Sequence, residues 1–306
     1  MNMIAPPPLS TGDQVAIVAP AGYLNDKTIL QKGLDILEHL GFSPRYEESA
    51  SQSHDYLSNP DGHRSRELET CFCDPDIKAI IALRGGYGCL RIISDLSWEK
   101  MKENPKFFIG FSDISILANQ ITEKSGLITF HGPTLSTLPL IDRTSIERLN
   151  YCLRGSWQNP LKEDIEIVKK HEPTRGKLSC WNLASLVSLL GTPFSPDLKN
   201  KIVLLEDINE PPYRLDKLFT QLYHAGKLHD LSGLILGSFS ADANSDKLDN
   251  MRLEEFVWNR VLELTQKESY PIWGKFPIGH LETNIAMPIG AYFQMSCERG
   301  VLSFAE

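Results

Sequence analysis

The stretch Phe107-Phe108-Ile109-Gly110-Phe111-Ser112-Asp113 decides how this chain is read. A short apolar strand runs into a tight turn that carries one serine, and a helical pattern (Ile114, Ile116, Leu117, Gln120, Ile121) begins at once. A strand leading directly into a helix is the half-unit of a parallel sheet with crossover helices. The same turn holds a serine with its hydroxyl aimed outward and the backbone N–H groups of a helix start nearby. That is how a nucleophile elbow is built, although the second glycine of G-x-S-x-G is absent and Ile114 stands in its place. A serine here also commonly caps the helix. By itself the stretch favours the cap, and the rest of the chain has to supply the case for a nucleophile.

Working outward, the rhythm repeats. Val15-Ala16-Ile17-Val18-Ala19 and Ala79-Ile80-Ile81-Ala82-Leu83 are continuous apolar runs, as expected of strands covered on both faces. Ile128-Thr129-Phe130 reads as a fourth strand. Asp26 is placed to cap a helix whose apolar positions Ile29, Leu30, Leu34, Leu37 and Leu40 share one stripe, closed by Gly41. The expected fold class is α/β, with an N-terminal parallel-sheet domain over residues 1–139. From 140 to 175 the pattern decays into polar and charged residues with Pro160 and Pro173, which reads as a connection. A second, smaller mixed α/β domain follows at 176–306. Helices are expected at Leu183–Leu190, Tyr213–His224 and Met251–Leu264, and strands at Ile202–Leu205 and Leu234–Leu236.

Composition narrows the function. At 306 residues and 42% hydrophobic, the chain can bury a large core as two domains. A net charge of −8 with no block of like charges argues against nucleic acid or an anionic membrane as the main partner. No apolar run approaches a membrane span, and Met1–Ser10, with Pro6-Pro7-Pro8 and no basic region, does not read as a signal peptide. The cysteines at 71, 73, 89, 152, 180 and 297 form no C-x-x-C pair, so free thiols in a reducing cytoplasm are expected. H-E-x-x-H and cysteine–histidine clusters are absent, which disfavours a metal.

In an open α/β sheet, ligands bind beyond the carboxyl ends of the strands. Four sites fall at such ends: Arg84-Gly85-Gly86-Tyr87-Gly88, Ser112, Glu206 with Asp207, and His280 after Pro277-Ile278-Gly279. A serine needs a histidine in reach and a carboxylate to orient it. His280 and His131 are both candidates, each with an ordinary structural reading of equal weight, and His63 reads as a solvated helix residue. Glu206 gains interest from its place behind four apolar strand residues, where a charge calls for a partner. The pair Gly85-Gly86 lacks the P-loop lysine and spacing. Beside Ser112 its N–H groups would make an oxyanion hole, with the N–H of Asp113 as second donor. The alternative is a tight turn and no more. Cys89 falls inside the following helix with no base implied.

These landmarks resemble, in order, those of the LD-carboxypeptidase family of serine peptidases. They are Val15–Pro20 with Gly22, Arg84–Gly88, Gly110-Phe111-Ser112-Asp113, His131-Gly132-Pro133, Leu205-Glu206-Asp207-Ile208-Asn209-Glu210 and Gly279-His280. The resemblance implies a serine peptidase with a triad of Ser112, His280 and Glu206 and an oxyanion hole of Gly86 and Asp113. It implies no cofactor, a homodimer, and a site in the cleft between the two domains. The substrate it implies is the murein tetrapeptide of bacterial cell-wall recycling, from which the C-terminal D-alanine is removed. Arg84, Gly85 and Tyr87 become candidate substrate contacts, with Arg84 as anchor for the free carboxylate. One departure stands out. Cys180-Trp181 precedes Asn182-Leu183 where the family often has two glycines, and the added bulk is expected to reshape a pocket wall rather than the triad. The same family includes immunity-type enzymes that cleave aminoacyl-nucleotide antibiotics. Outside hydrolysis, a non-catalytic peptide-binding module and a nucleotide or phosphosugar enzyme using Gly85-Gly86 remain as alternatives.

Overall fold

The computed structural model describes residues 3–48, 53–241, 247–297 and 300–305. The chain divides into two units, Met1–Trp157 with Glu282–Gly290, and Gln158–Leu281 with Ala291–Glu306.

The first unit is the α/β half. Its elements are β1 (Gln14–Val18), α1 (Lys27–His39), β2 (Ser43–Arg45), α2 (Asp61–Cys73), β3 (Ile77–Ala82), α3 (Cys89–Ile92), α4 (Trp98–Glu103), β4 (Phe107–Gly110), α5 (Ile114–Ser125), β5 (Thr129–His131) and α6 (Arg143–Leu153). The strands β5, β4, β3, β1 and β2 lie side by side in that order, all parallel. A returning strand, Met287–Ile289, pairs antiparallel with β5. All four residues of β4 are buried, which is why the strand reads as an unbroken apolar run. Helices α1 and α5 form where the sequence stripes predict. Asp26 caps α1 through Oδ1, which accepts from the N–H groups of Thr28 and Ile29, a bond worth about 1 kcal/mol. Leu37 is buried on its inner face, and Gly41 ends it at φ +88°.

The segment 140–175, expected as a connection, carries regular structure. Helix α6 packs in the first unit, where it receives the returning segment: Asn284 N–H donates to Ser145 Oγ and Arg148 Nε to Ala286 O. Its apolar positions are interleaved with Arg143, Glu147 and Arg148, so its stripe is faint in the sequence. The rest of the segment supplies short strands to the second unit.

That second unit comprises β6 (Leu161–Lys162), β7 (Glu166–Lys169), β8 (Thr174–Asn182), α7 (Leu183–Ser188), β9 (Lys201–Ile208), α8 (Pro212–His224), β10 (Gly233–Ser240), α9 (Lys247–Leu264) and β11 (Ile272–Gly274). Counting the returning strand as β12, the chain ends in β13 (Tyr292–Ser296) and β14 (Val301–Phe304). The sheet order is β6-β14-β13-β8-β9-β10-β11-β7, with a parallel centre from β8 to β11 and antiparallel flanks. Strand β9 runs three residues beyond the expected end at Leu205, because Phe239 and Ser240 of β10 continue the pairing opposite Asp207 and Ile208. Glu206 and Asp207 therefore sit inside the strand. No helix among the described residues is long and apolar enough to cross a membrane.

Candidate active site

The serine turn depends on a glycine two residues before Ser112. Strand β4 meets helix α5 so closely that a Cβ on Gly110 would fall 2.6 Å from Ile114 Cγ2. Between them Ser112 is forced to φ +62°, the left-handed region that a serine rarely occupies. Such a conformation costs on the order of 1–3 kcal/mol and persists only where its surroundings hold it. Asp113, not Ser112, occupies the cap position of α5, and no side chain caps the helix. The strained, partly exposed serine thus has no capping duty to explain it.

The glycine loop after β3 lies against that serine. A Cβ on Gly85 would fall 2.8 Å from Ser112 Cβ and 2.9 Å from Ser112 Oγ. Gly86 follows at φ +116°, and Gly22 N–H donates to Gly85 O at 3.2 Å. Gly85→Ala is expected to push the serine side chain aside. Displacement of about 1 Å lowers kcat by on the order of 10²-fold, to be checked by steady-state kinetics beside a thermal melt. Unchanged kcat in a folded variant would show that the contact has no bearing on the chemistry. Around the loop, Arg84 is exposed and donates from Nη1 to Tyr23 O at 3.0 Å. Tyr87 is 47% exposed, with its ring 5.9 Å from that of Tyr56.

Asp113 joins the turn to the loop. Its carboxylate is buried, and Oδ2 accepts the N–H of Cys89 at 2.8 Å. Burial raises its pKa, against the hydrogen bonds from Cys89 and Gly88 and the charge of Arg64. The Cys89 thiol is pushed far up by burial and by Asp113, which leaves it a poor nucleophile. His131 is fully buried beneath the turn, with Nε2 3.3 Å from Asn284 Oδ1 and its ring edge-on to Phe111 at 5.7 Å. His63 is a partly exposed residue of α2.

In the second unit, His280 and Glu206 come together: Nδ1 lies 2.8 Å from Oε2. The carboxylate is completely buried, while 20% of the imidazole side chain is exposed. The approach needs Gly279, at φ +109°, since a Cβ there would fall 3.0 Å from Glu206 Oε2 and 2.4 Å from Ser238 Oγ. Burial by itself would lower the His280 pKa. The charge of Glu206, its hydrogen bond and the charge of Asp207 outweigh that, and the pKa is raised.

Which of two adjacent carboxylates serves the histidine follows from strand alternation. Glu206 points to His280, and Asp207 points the opposite way. Asp207 accepts from Asn182 Nδ2 at 2.8 Å and from the N–H groups of Ala184 and Ile208, so it secures the start of α7. Burial and the neighbouring Glu206 push its pKa up to about 7 against those hydrogen bonds. The sequence marks Asn182 only as part of a departing motif and gives no sign of its bond to Asp207, although its place opposite Glu206 in the register sets it beside the pair. Cys180 and Trp181 lie in β8 opposite Leu204 and Leu205, both fully buried, with Trp181 Nε1 donating to Ser179 Oγ at 2.7 Å. Among the described residues no cluster of histidine, cysteine and carboxylate side chains could hold a metal ion.

Within the first unit, Ser112, Gly85 and Asp113 are brought together; within the second, His280 and Glu206. The one sets a partly exposed serine against a glycine-lined backbone, the other a histidine against a buried acid.

Comparison with known proteins gives a consistent picture. The LD-carboxypeptidase N-terminal domain model matches residues 15–132, and the LD-carboxypeptidase C-terminal domain model matches residues 175–295. A Bacillus subtilis protein designated a probable murein peptide carboxypeptidase is 33% identical over 95% of this chain and 91% of its own length. The crystal structure of muramoyltetrapeptide carboxypeptidase from Oxalobacter formigenes is similar with a TM-score of 0.82 at 28% identity, covering 96% of this chain and 99% of that one. MccF in complex with glutamyl sulfamoyl guanosine shares the fold, with a TM-score of 0.84 at 22% identity over 98% of each chain. Both halves of the chain and their order agree in these matches: it belongs to the LD-carboxypeptidase family, hydrolases of the carboxypeptidase class.

Proposed function

We propose that this chain is a serine-type LD-carboxypeptidase that removes the C-terminal D-alanine from murein tetrapeptides. Ser112 is the nucleophile, His280 its base, Glu206 the acid that orients the base, and the N–H groups of Gly86 and Asp113 the oxyanion hole. The observation that carries this reading is the contact of His280 Nδ1 with the buried Glu206 carboxylate at 2.8 Å. A fully buried carboxylate set against a partly exposed imidazole has little value to a peptide-binding module. It has a clear value to a base, because it fixes the proton on Nδ1 and leaves Nε2 to take another.

In this mechanism Nε2 takes the Ser112 proton as Oγ attacks the carbonyl carbon of the bond before the D-residue. The tetrahedral oxyanion is held by the two N–H groups, each worth about 3 kcal/mol in the transition state. Collapse breaks the C–N bond, and His280 gives its proton to the departing amine of D-alanine. Water, deprotonated by the same nitrogen, then releases the acyl group from Ser112. Arg84 is the proposed anchor for the substrate's free carboxylate. Turnover of wall fragments in the cytoplasm, by a homodimer, completes the reading.

The test is incubation with defined muropeptides ending in L,D- or D,D-linked residues, followed by mass spectrometry. Loss of one D-alanine from the L,D substrates alone is expected. An aminoacyl-sulfamoyl adenylate belongs in the same panel. If it is cleaved and the tetrapeptides survive, the substrate class is the one suggested by the MccF complex.

A further inference from the structure

The loop Gly85–Gly88 is gripped at both ends. At one end Gly85 abuts Ser112; at the other Gly88, at φ +139°, has no room for a side chain, since a Cβ would fall 2.6 Å from Arg64 Nη1 and 2.8 Å from Leu57 Cδ2. Arg64 belongs to α2 and is completely buried, a rare state for a guanidinium. Its donors are spent on backbone carbonyls from separate segments. Nε donates to Asn59 O at 3.1 Å, and Nη1 donates to Gly88 O at 3.0 Å and to Pro20 O in the loop after β1. Nη2 pairs with Asp61, whose other oxygen is held by Arg91 at 2.9 Å.

The carbonyl of Gly88 and the N–H of Cys89 are the two polar edges of one peptide group. Arg64 donates to the first, and the carboxylate of Asp113, the residue after Ser112, accepts from the second at 2.8 Å. That peptide plane is fixed on both edges. The conformation of a short loop between two fixed points has little freedom left, so the direction of the Gly86 N–H between them is set as well.

We propose that Arg64 is a positioning residue for Ser112 chemistry: by locking the Gly88–Cys89 peptide plane together with Asp113, it holds the Gly86 amide in place as an oxyanion donor. The proposal rests on the reading of Ser112 as nucleophile given above. Arg64 touches no substrate; it acts through the loop. Lysine at this position keeps the charge but offers a flexible point donor in place of a planar fork.

The experiment compares the full-length protein with Arg64→Lys and Gly88→Ala, which disturb the clamp from its two sides. Kinetics on an L,D-terminated tetrapeptide are measured beside backbone hydrogen exchange and a thermal melt. In Arg64→Lys, kcat is expected to fall by about 10²-fold with KM within a few-fold, the pattern of a lost transition-state contact. Amide exchange should rise at Gly86 to Cys89 while β3 and β4 stay protected. Gly88→Ala is expected to reproduce both effects. Folded Arg64→Lys with parental kcat, or with parental exchange across the loop, overturns the proposal. A role in stability alone would lower the melting temperature with no separation of kcat from KM. If exchange rises as expected but the parent protein shows no Ser112-dependent turnover, the clamp stands, and the nucleophile reading and its catalytic meaning fall.

Discussion

Ser112→Ala is expected to fold like the parent and to lose hydrolysis by on the order of 10⁶-fold, the scale seen when a triad nucleophile is removed. The fold should survive for two reasons. The serine side chain caps no helix, so no capping bond is lost. The left-handed backbone at φ +62° is held by the close meeting of β4 and α5, which alanine does not change. Matching melting temperatures and circular dichroism, with product formation followed by mass spectrometry, would check both halves of the expectation. Activity within tenfold of the parent would falsify the assignment of Ser112, since the oxyanion donors without a nucleophile supply only a residual of about 10³–10⁴ over water.

Glu206→Gln is the second large effect, a loss of about 10⁴-fold in kcat, as expected when the acid that fixes a catalytic imidazole's tautomer becomes an amide. It carries a separate signature in pH. A general base must be neutral, so kcat/KM rises with pH through the His280 pKa. In the parent that pKa is raised above 6.5, because Glu206 and Asp207 outweigh burial. The variant loses the Glu206 contributions and keeps the burial, so its acid limb should move to lower pH. Stability follows the same linkage. A histidine whose pKa is raised on folding adds stability in acid, fully present below the unfolded pKa and lost as pH rises through the folded one. The parent should therefore show this stabilisation fading across the raised pKa, and Glu206→Gln should flatten that dependence. An acid limb at the same pH in both proteins would remove Glu206 as the partner that sets the base.

Much of this was legible in the sequence, for identifiable reasons. Strands covered on both faces are written as unbroken apolar runs, and β1, β3 and β4 were read from theirs. Helix α1 announced itself by Asp26, its stripe and Gly41. Segments that pair at sheet edges carry no such signal: β6 and β7 are two and four residues long, and β7 is only partly buried. At the site, Ser112 and the glycine loop stood out because glycine and a turn serine have few other uses together. Glu206 is singled out in the sequence by its place behind the apolar run and by the resemblance, whereas the separate role of Asp207 follows only from the strand's length and alternation, which put the two on opposite faces. His131 and His280 were level in sequence and differ in their neighbours, an amide within a sealed core for one and a buried acid for the other. Arg64 left little trace, since apart from Asp61 the partners of its guanidinium are main-chain carbonyls, and those have no letter of their own.

The left-handed twist at residue 112 has a practical meaning for anyone improving this protein. Glycine would sit there at ease, and so a laboratory selection that rewards heat resistance alone will drift toward it. The sturdier molecule so obtained would have surrendered its hydroxyl, and any such campaign needs a functional screen running beside it.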